Sequence, residues 1–221
     1  MLRIFPNILL AIPLMSAIAM AQTPIEQAKK QPTKGQKYRY EILYHGNGFS
    51  AHAQVDASKP AGQRVTIVHP KSSSIPDEFQ AVVQDLDKGA DEFPWCRQFL
   101  EQIPTKANLQ FQDASTATYQ FVPLPSKTAD AEEKKIMKNS IGMATLGQKK
   151  PGLLSFQVVL QQPTRINLAA ELKSLSVNVE CEYVADGRTR LKKLTNSVSG
   201  EAFFQKFNQT ETIELINFRV I

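Results

Sequence analysis

Three histidines, two cysteines and one tryptophan stand among the 221 residues, so the side chains that most often carry catalysis or bind metals can be weighed one at a time. His45 and His52 fall on the two arms of an expected hairpin, diagonally related on its solvent side, with Asp56 farther along. Two imidazoles without a firmly placed third ligand make a poor zinc site, and the reading is two solvated histidines with no metal. The chain shows no paired-histidine helical motif, no close cysteine pair and no acidic calcium loop. Gly48-Phe49-Ser50-Ala51-His52 has the outline of a nucleophile elbow but ends in His where Gly is needed, and no acid is placed to orient the ring. Gly46-Asn47-Gly48-Phe49-Ser50-Ala51 matches a dinucleotide fingerprint in letters only. That motif needs a helix start to aim amides at a pyrophosphate, whereas Phe49 to Val55 alternates like a strand. Asp91-Glu92 and Glu132-Glu133 read as exposed charges. No catalytic residue and no cofactor is assigned.

Cys96 and Cys181 are an even pair, expected to form one disulfide tying a helix to a distant strand if the protein is exported. Export is the expectation for Met1 to Ala21: Arg3 precedes a largely apolar stretch, Ile8 to Met20, and Ala19-Met20-Ala21 offers small residues for cleavage. Pro6 and Pro13 argue against a buried helix there. The expected product is a periplasmic or secreted protein beginning at Gln22.

Composition narrows the classes further. With 42% hydrophobic and 21% charged residues, the chain reads as an ordinary globular domain able to bury a core. No apolar run reaches the roughly 20 residues of a membrane-spanning helix. Beyond the export segment, 25 basic residues face 21 acidic ones, and the pairs Lys134-Lys135, Lys149-Lys150 and Lys192-Lys193 lack the interleaved aromatics of a nucleic-acid site. No nucleic-acid partner is expected.

The elements that would position a site follow from periodicity. Residues 22–36 are polar and read as a flexible leader; residues 37–221 read as a single domain. Tyr38, Tyr40, Ile42 and Tyr44 alternate with Arg39, Glu41 and Leu43, Asn47-Gly48 turns the chain, and Ala51, Ala53 and Val55 alternate again. That register sets Tyr44 opposite Ala51, Ile42 opposite Ala53 and Tyr40 opposite Val55. A third strand is expected over Arg64 to Val68. Phe79, Val82, Val83 and Leu86 recur at helical spacing before Gly89, and Phe93 to Ile103 suggests a second apolar helical segment stopped by Pro104. Strands are expected over Thr116 to Phe121, Gly142 to Leu146, Leu153 to Leu160, Ser174 to Val184, Arg188 to Val198, Glu201 to Phe207 and Thr212 to Val220, with a polar helix over Ala131 to Asn139. At Ala185-Asp186-Gly187 a three-residue loop would pair Glu182 with Arg190 and Glu180 with Lys192, while a two-residue loop would shift the register by one; charge pairing favours the first. Short connections imply an antiparallel meander.

Tyr119-Gln120-Phe121-Val122-Pro123, a polar insertion, Ile141-Gly142-Met143-Ala144, Leu153 to Leu160 and the strands around an Asp-Gly turn give the segment from Thr116 to Phe218 a texture that resembles periplasmic lipoprotein carriers, the lipoprotein-localisation family. The resemblance lies in strand order and spacing over about half the chain. It implies a strongly curved, half-open sheet whose concave face holds acyl chains under a helical cover, without catalysis.

Together these readings give an α+β fold: a curved, mostly antiparallel β-sheet, half-barrel-like, packed against two or three helices. The expected function is non-enzymatic binding of a lipid or other apolar ligand between sheet and helices, with Tyr40, Tyr44, Phe79, Trp95 and Phe99 lining the cavity. The alternative is a cell-envelope module that binds another protein and has no small-molecule site.

Overall fold

The computed structural model describes residues 23–32, 35–70, 75, 77–90, 92–167 and 169–221. The expected export segment Met1 to Ala21 and the expected helix-start residue Pro76 lie outside them.

The first element corrects the reading of residues 22–36 as a flexible leader, because Pro24–Lys29 form helix α1. Thr23 and Glu26 make a reciprocal capping box and Pro24 occupies the first turn, which satisfies amide groups that a six-residue helix would otherwise leave bare. Ile25 and Ala28 are 2% and 0% exposed and sit in the main core. The Lys29 ammonium donates to the Ile103 carbonyl at 2.7 Å and the Gln31 amide donates to the Pro151 carbonyl. One buried pair three residues apart is too little to register as a period, which is why the segment reads as featureless.

Strands β1 (Tyr38–Gly46) and β2 (Phe49–Asp56) form the expected hairpin in the expected register. Asn47 and Gly48 have φ of 52° and 74°, the left-handed pair that a two-residue type I′ turn requires. Strand β3 (Val65–His69) pairs with β2, and helix α2 (Asp77–Gly89) follows. The second apolar segment is helical only over α3 (Arg97–Leu100); before it Pro94 lies in a turn and Trp95 in an isolated β-bridge. Strand β4 (Asn108–Gln112) is an addition to the expected set, exposed along its whole length. Then come β5 (Thr116–Phe121), α4 (Ala131–Lys138), β6 (Ser140–Gly147), β7 (Gly152–Leu160), the short β8 (Thr164–Arg165), β9 (Ala170–Tyr183), β10 (Thr189–Ala202) and β11 (Gln205–Val220).

Among the described residues eleven strands join one antiparallel sheet in the order β3-β2-β1-β11-β10-β9-β7-β6-β5-β4, with β8 on β9. Because β1 pairs with β11, the start and finish of this domain lie side by side. β3 and β4 do not pair with each other, so the sheet is open. At the β9–β10 loop Gly187 has φ 92° and Val184 N–H donates to the Arg188 carbonyl at 2.9 Å. Glu182 then faces Arg190, as charge pairing suggests, while an irregularity after Leu191 sets Lys193 opposite Glu180. Lys192 still reaches Glu180, at 3.9 Å.

One face of the sheet carries the core. Tyr40, Ile42, Val55, Phe121, Phe156 and Leu215 join Ile25, Leu86 and Leu100 from the helices in a single buried cluster. Alternation along β1 and β5 buries every second residue and leaves those between them more exposed, as expected for an antiparallel sheet buried on one side. Cys96, at the start of α3, is bonded to Cys181 of β9 across a sequence separation of 85, so the expected disulfide forms. Among the described residues no helix is long and apolar enough to cross a membrane.

Candidate functional site

The chain from Pro94 to Cys96 is stitched to β10 before it enters α3. Leu191 N–H donates to the Pro94 carbonyl at 2.6 Å, Trp95 bridges Arg190, and Cys96 N–H donates to the Thr189 carbonyl at 3.1 Å. With the disulfide beside it, this stitching fixes the indole of Trp95 over one end of the sheet. Asn217, at φ 51°, makes an irregularity in the β1–β11 pairing between Arg39 and Glu41, beside which Phe218 joins the inner face. Its ring stacks on Tyr38 at 4.5 Å and on Tyr40 at 5.5 Å, and Trp95 meets Tyr38 and Phe218 edge-on at 5.6 and 6.0 Å. Four aromatic rings thus form a continuous apolar floor, in the offset and edge-on geometries that ring quadrupoles favour.

Two buried arginines frame that floor. The Arg188 guanidinium lies 3.6 Å from the Trp95 ring centroid and the Arg190 guanidinium 4.7 Å from that of Phe218, each placed for cation–π attraction. Their charges are matched as burial demands. Arg188 donates to Asp186 at 2.6 and 2.9 Å and to the Gln36 carbonyl at 3.0 Å; Arg190 pairs with Glu182 and donates to the Leu215 carbonyl at 3.0 Å. Tyr38 hydroxyl donates to the same Asp186 carboxylate at 3.2 Å. Burial works to raise the Asp186 pKa, but the hydrogen bonds and charge of Arg188, with the Tyr38 contact, outweigh it and hold the carboxyl below its ordinary value. Burial first, and the neighbouring Asp186 charge second, push the Tyr38 phenol upward.

Above this floor is a cavity of about 670 Å³, walled by the end of α1, the segment between α2 and α3, and the starts of β1 and β10. Tyr38, Tyr40 and Trp95 supply its aromatic wall, and Lys37, Arg97 and Arg188 its cationic groups. Arg97 donates to the Lys29 carbonyl at 3.0 Å, while its buried Nε has no hydrogen-bond partner.

Of the five residues expected to line a cavity, Tyr40 and Trp95 do so together. Tyr44 and Phe79 instead form a smaller cluster with Ala51, their rings 5.2 Å apart and both tilted against Phe49. Phe99 packs on Phe156 at 5.5 Å within the main core. Sequence reasoning missed Tyr38, Phe218, Arg97 and Arg188. The Asp186-Gly187-Arg188 turn hinted that Arg188 would find a local carboxylate, but nothing in the sequence places it on an indole 93 positions earlier.

The histidines take separate partners. His45 Nδ1 lies 2.9 Å from Ser50 Oγ, and His52 Nε2 lies 2.9 Å from Glu41 Oε2. Asp56 bonds Ser58 and Arg39. Ser50 therefore contacts His45 across the hairpin, on an exposed strand surface. Among the described residues no group of three or more His, Cys, Asp or Glu is placed to hold a metal.

No protein-family model, curated protein or solved structure matches the chain.

Proposed function

We propose that this is an exported, non-enzymatic binding protein that holds one apolar or amphiphilic molecule, such as a lipid, in the cavity between sheet and helices. The observation that carries the reading is the cavity of about 670 Å³ with an aromatic wall of Tyr38, Tyr40 and Trp95, within the range of about 300–1,000 Å³ common for small-ligand sites. Cations at its border suit an amphiphile with a polar or anionic end. The open sheet would curve as a half-barrel, and past the packed core its inner face continues as the half-buried Leu175 and Val198, opposite each other on β9 and β10, apolar surface available for a longer chain. The texture shared by residues 116–218 with lipoprotein carriers agrees with acyl binding, and the Cys96–Cys181 bond agrees with an oxidising compartment. Native mass spectrometry of the purified protein, with organic extraction, tests the reading. One bound amphiphile per chain, lost in Trp95→Arg, is expected; a bare polypeptide mass with nothing extractable contradicts it.

A second reading rests on β4. This strand ends the sheet, all five of its residues are exposed, and Leu109 and Phe111 are 50% and 57% exposed. An edge of this kind accepts an added strand from a partner in the cell envelope. Leu109→Lys/Phe111→Lys, which puts charges on the exposed edge, would abolish such a complex and leave ligand binding intact.

A further inference from the structure

Two turns of the same geometry in this chain are built from opposite residues. Asn47-Gly48 has φ of 52° and 74°, and Phe203-Phe204, between β10 and β11, has φ of 50° and 65°. A type I′ turn favours Asn-Gly because both central residues must enter the left-handed region, where a bulky side chain crowds its own backbone. At Phe203 and Phe204 the crowding brings no packing in return: the side chains are 77% and 97% exposed. The backbone there is firmly held, since Ala202 pairs with both Gln205 and Ala170 and Phe203 N–H donates to the Ala169 carbonyl at 2.8 Å. A hairpin turn braced on one side by β9 therefore presents two adjacent phenyl rings to the outside, at a cost in local conformation and without benefit to the fold.

We infer that Phe203 and Phe204 are a membrane-docking tip that enters the interfacial layer of a bilayer containing anionic lipid. The tip is convex, two neighbouring rings at the apex of a hairpin, a shape that penetrates a fluid interface without needing a preformed pocket. Its surroundings carry more cations than anions. Lys206 faces Glu201, which also pairs with Lys173 at 3.1 Å; Arg165 faces Glu171, and the Lys135 ammonium donates to the Arg165 carbonyl. Four cations thus stand against two carboxylates, matching an anionic headgroup layer that adds attraction within a Debye length. The tip lies at the far end of β10 from Arg188 and the aromatic cavity, so docking would leave the cavity mouth free.

The test uses the full mature chain and the double substitution Phe203→Asn/Phe204→Gly, which installs the residues the turn geometry prefers. Sedimentation with vesicles of phosphatidylethanolamine and phosphatidylglycerol measures partitioning, and thermal unfolding is followed on the same samples. The wild-type chain is expected to bind these vesicles and to be weakened by salt. The variant should lose about 10- to 100-fold in partition coefficient, while its unfolding midpoint rises by about 3 °C or more. Loss of binding in a protein that has become more stable cannot be assigned to misfolding. Absence of wild-type binding, or equal binding by the variant, overturns the inference. So does self-association of the wild type without vesicles that the substitutions remove, because the tip would then engage a second copy.

Discussion

Breaking the Cys96–Cys181 bond should remove a large share of the stability of the domain, and the size of the loss can be worked from the fold. The bond closes a loop with a sequence separation of 85, for which chain entropy alone gives about 4.5 kcal/mol. Cys96 is fully buried in the main core, so Cys96→Ala/Cys181→Ala removes the crosslink and leaves only small apolar side chains behind. A domain of this size has a total stability of about 5–15 kcal/mol. Urea unfolding followed by circular dichroism, comparing the oxidised protein with the double variant, should show a midpoint lower by about 2 M for a slope of about 2–3 kcal/mol per molar. The stitched segment Pro94 to Cys96 should loosen first, read as a red shift of Trp95 emission below the main transition. A midpoint shift under about 0.4 M, with unchanged emission, would refute the argument that this crosslink anchors the cavity wall.

Other expectations follow from individual contacts. Arg188→Met leaves Asp186 without its buried partner and should destabilise by about 3 kcal/mol, a loss that chemical denaturation would register and that a change under 1 kcal/mol would contradict. Gly142→Ala would drive a methyl group to 2.3 Å from the Phe121 ring, and displacing that buried ring should cost about 1–3 kcal/mol in the same assay. Asp56 is held at a pKa of about 2 by hydrogen bonds from Ser58 first and then Arg39, against the opposing effect of burial. Its contribution to stability is therefore present above about pH 4 and lost as pH falls toward 2. Asp56→Asn should remove about 1–2 kcal/mol at neutral pH and flatten the acid limb between pH 4 and 2, measured as unfolding midpoint against pH.

Much of the sheet was legible because its residues obey local rules. Asn47-Gly48 with flanking alternation specified both turn and register of the first hairpin; at the β9–β10 loop Asp186-Gly187 marked the turn and charge pairing set Glu182 against Arg190, but the irregularity that puts Lys193 opposite Glu180 left no local signal. The cysteine pair was readable from count and expected compartment. What escaped notice lacked a period. Helix α1 buries only two residues, although Thr23 and Glu26 were a usable capping signal. Strand β4 is exposed on both faces and so shows no alternation. The Phe203-Phe204 turn read as strand interior because aromatic residues favour strands, and only backbone geometry revealed it. The candidate site was half readable: Tyr40 and Trp95 have the composition of a binding surface, but Phe218 and Arg188 reach it through long-range pairing of β1 with β11 and of Trp95 with β10.

Trp95 is the only tryptophan of the chain and lies in the cavity wall, so its fluorescence reports directly on occupancy. Titration with an amphiphile brominated along its acyl chain should quench Trp95 emission saturably, at one molecule per chain, with quenching reversed by the unlabelled amphiphile. Emission that declines only linearly with added quencher, as it does for a fluorophore met by random collision in solution, would contradict a binding cavity at this end of the sheet.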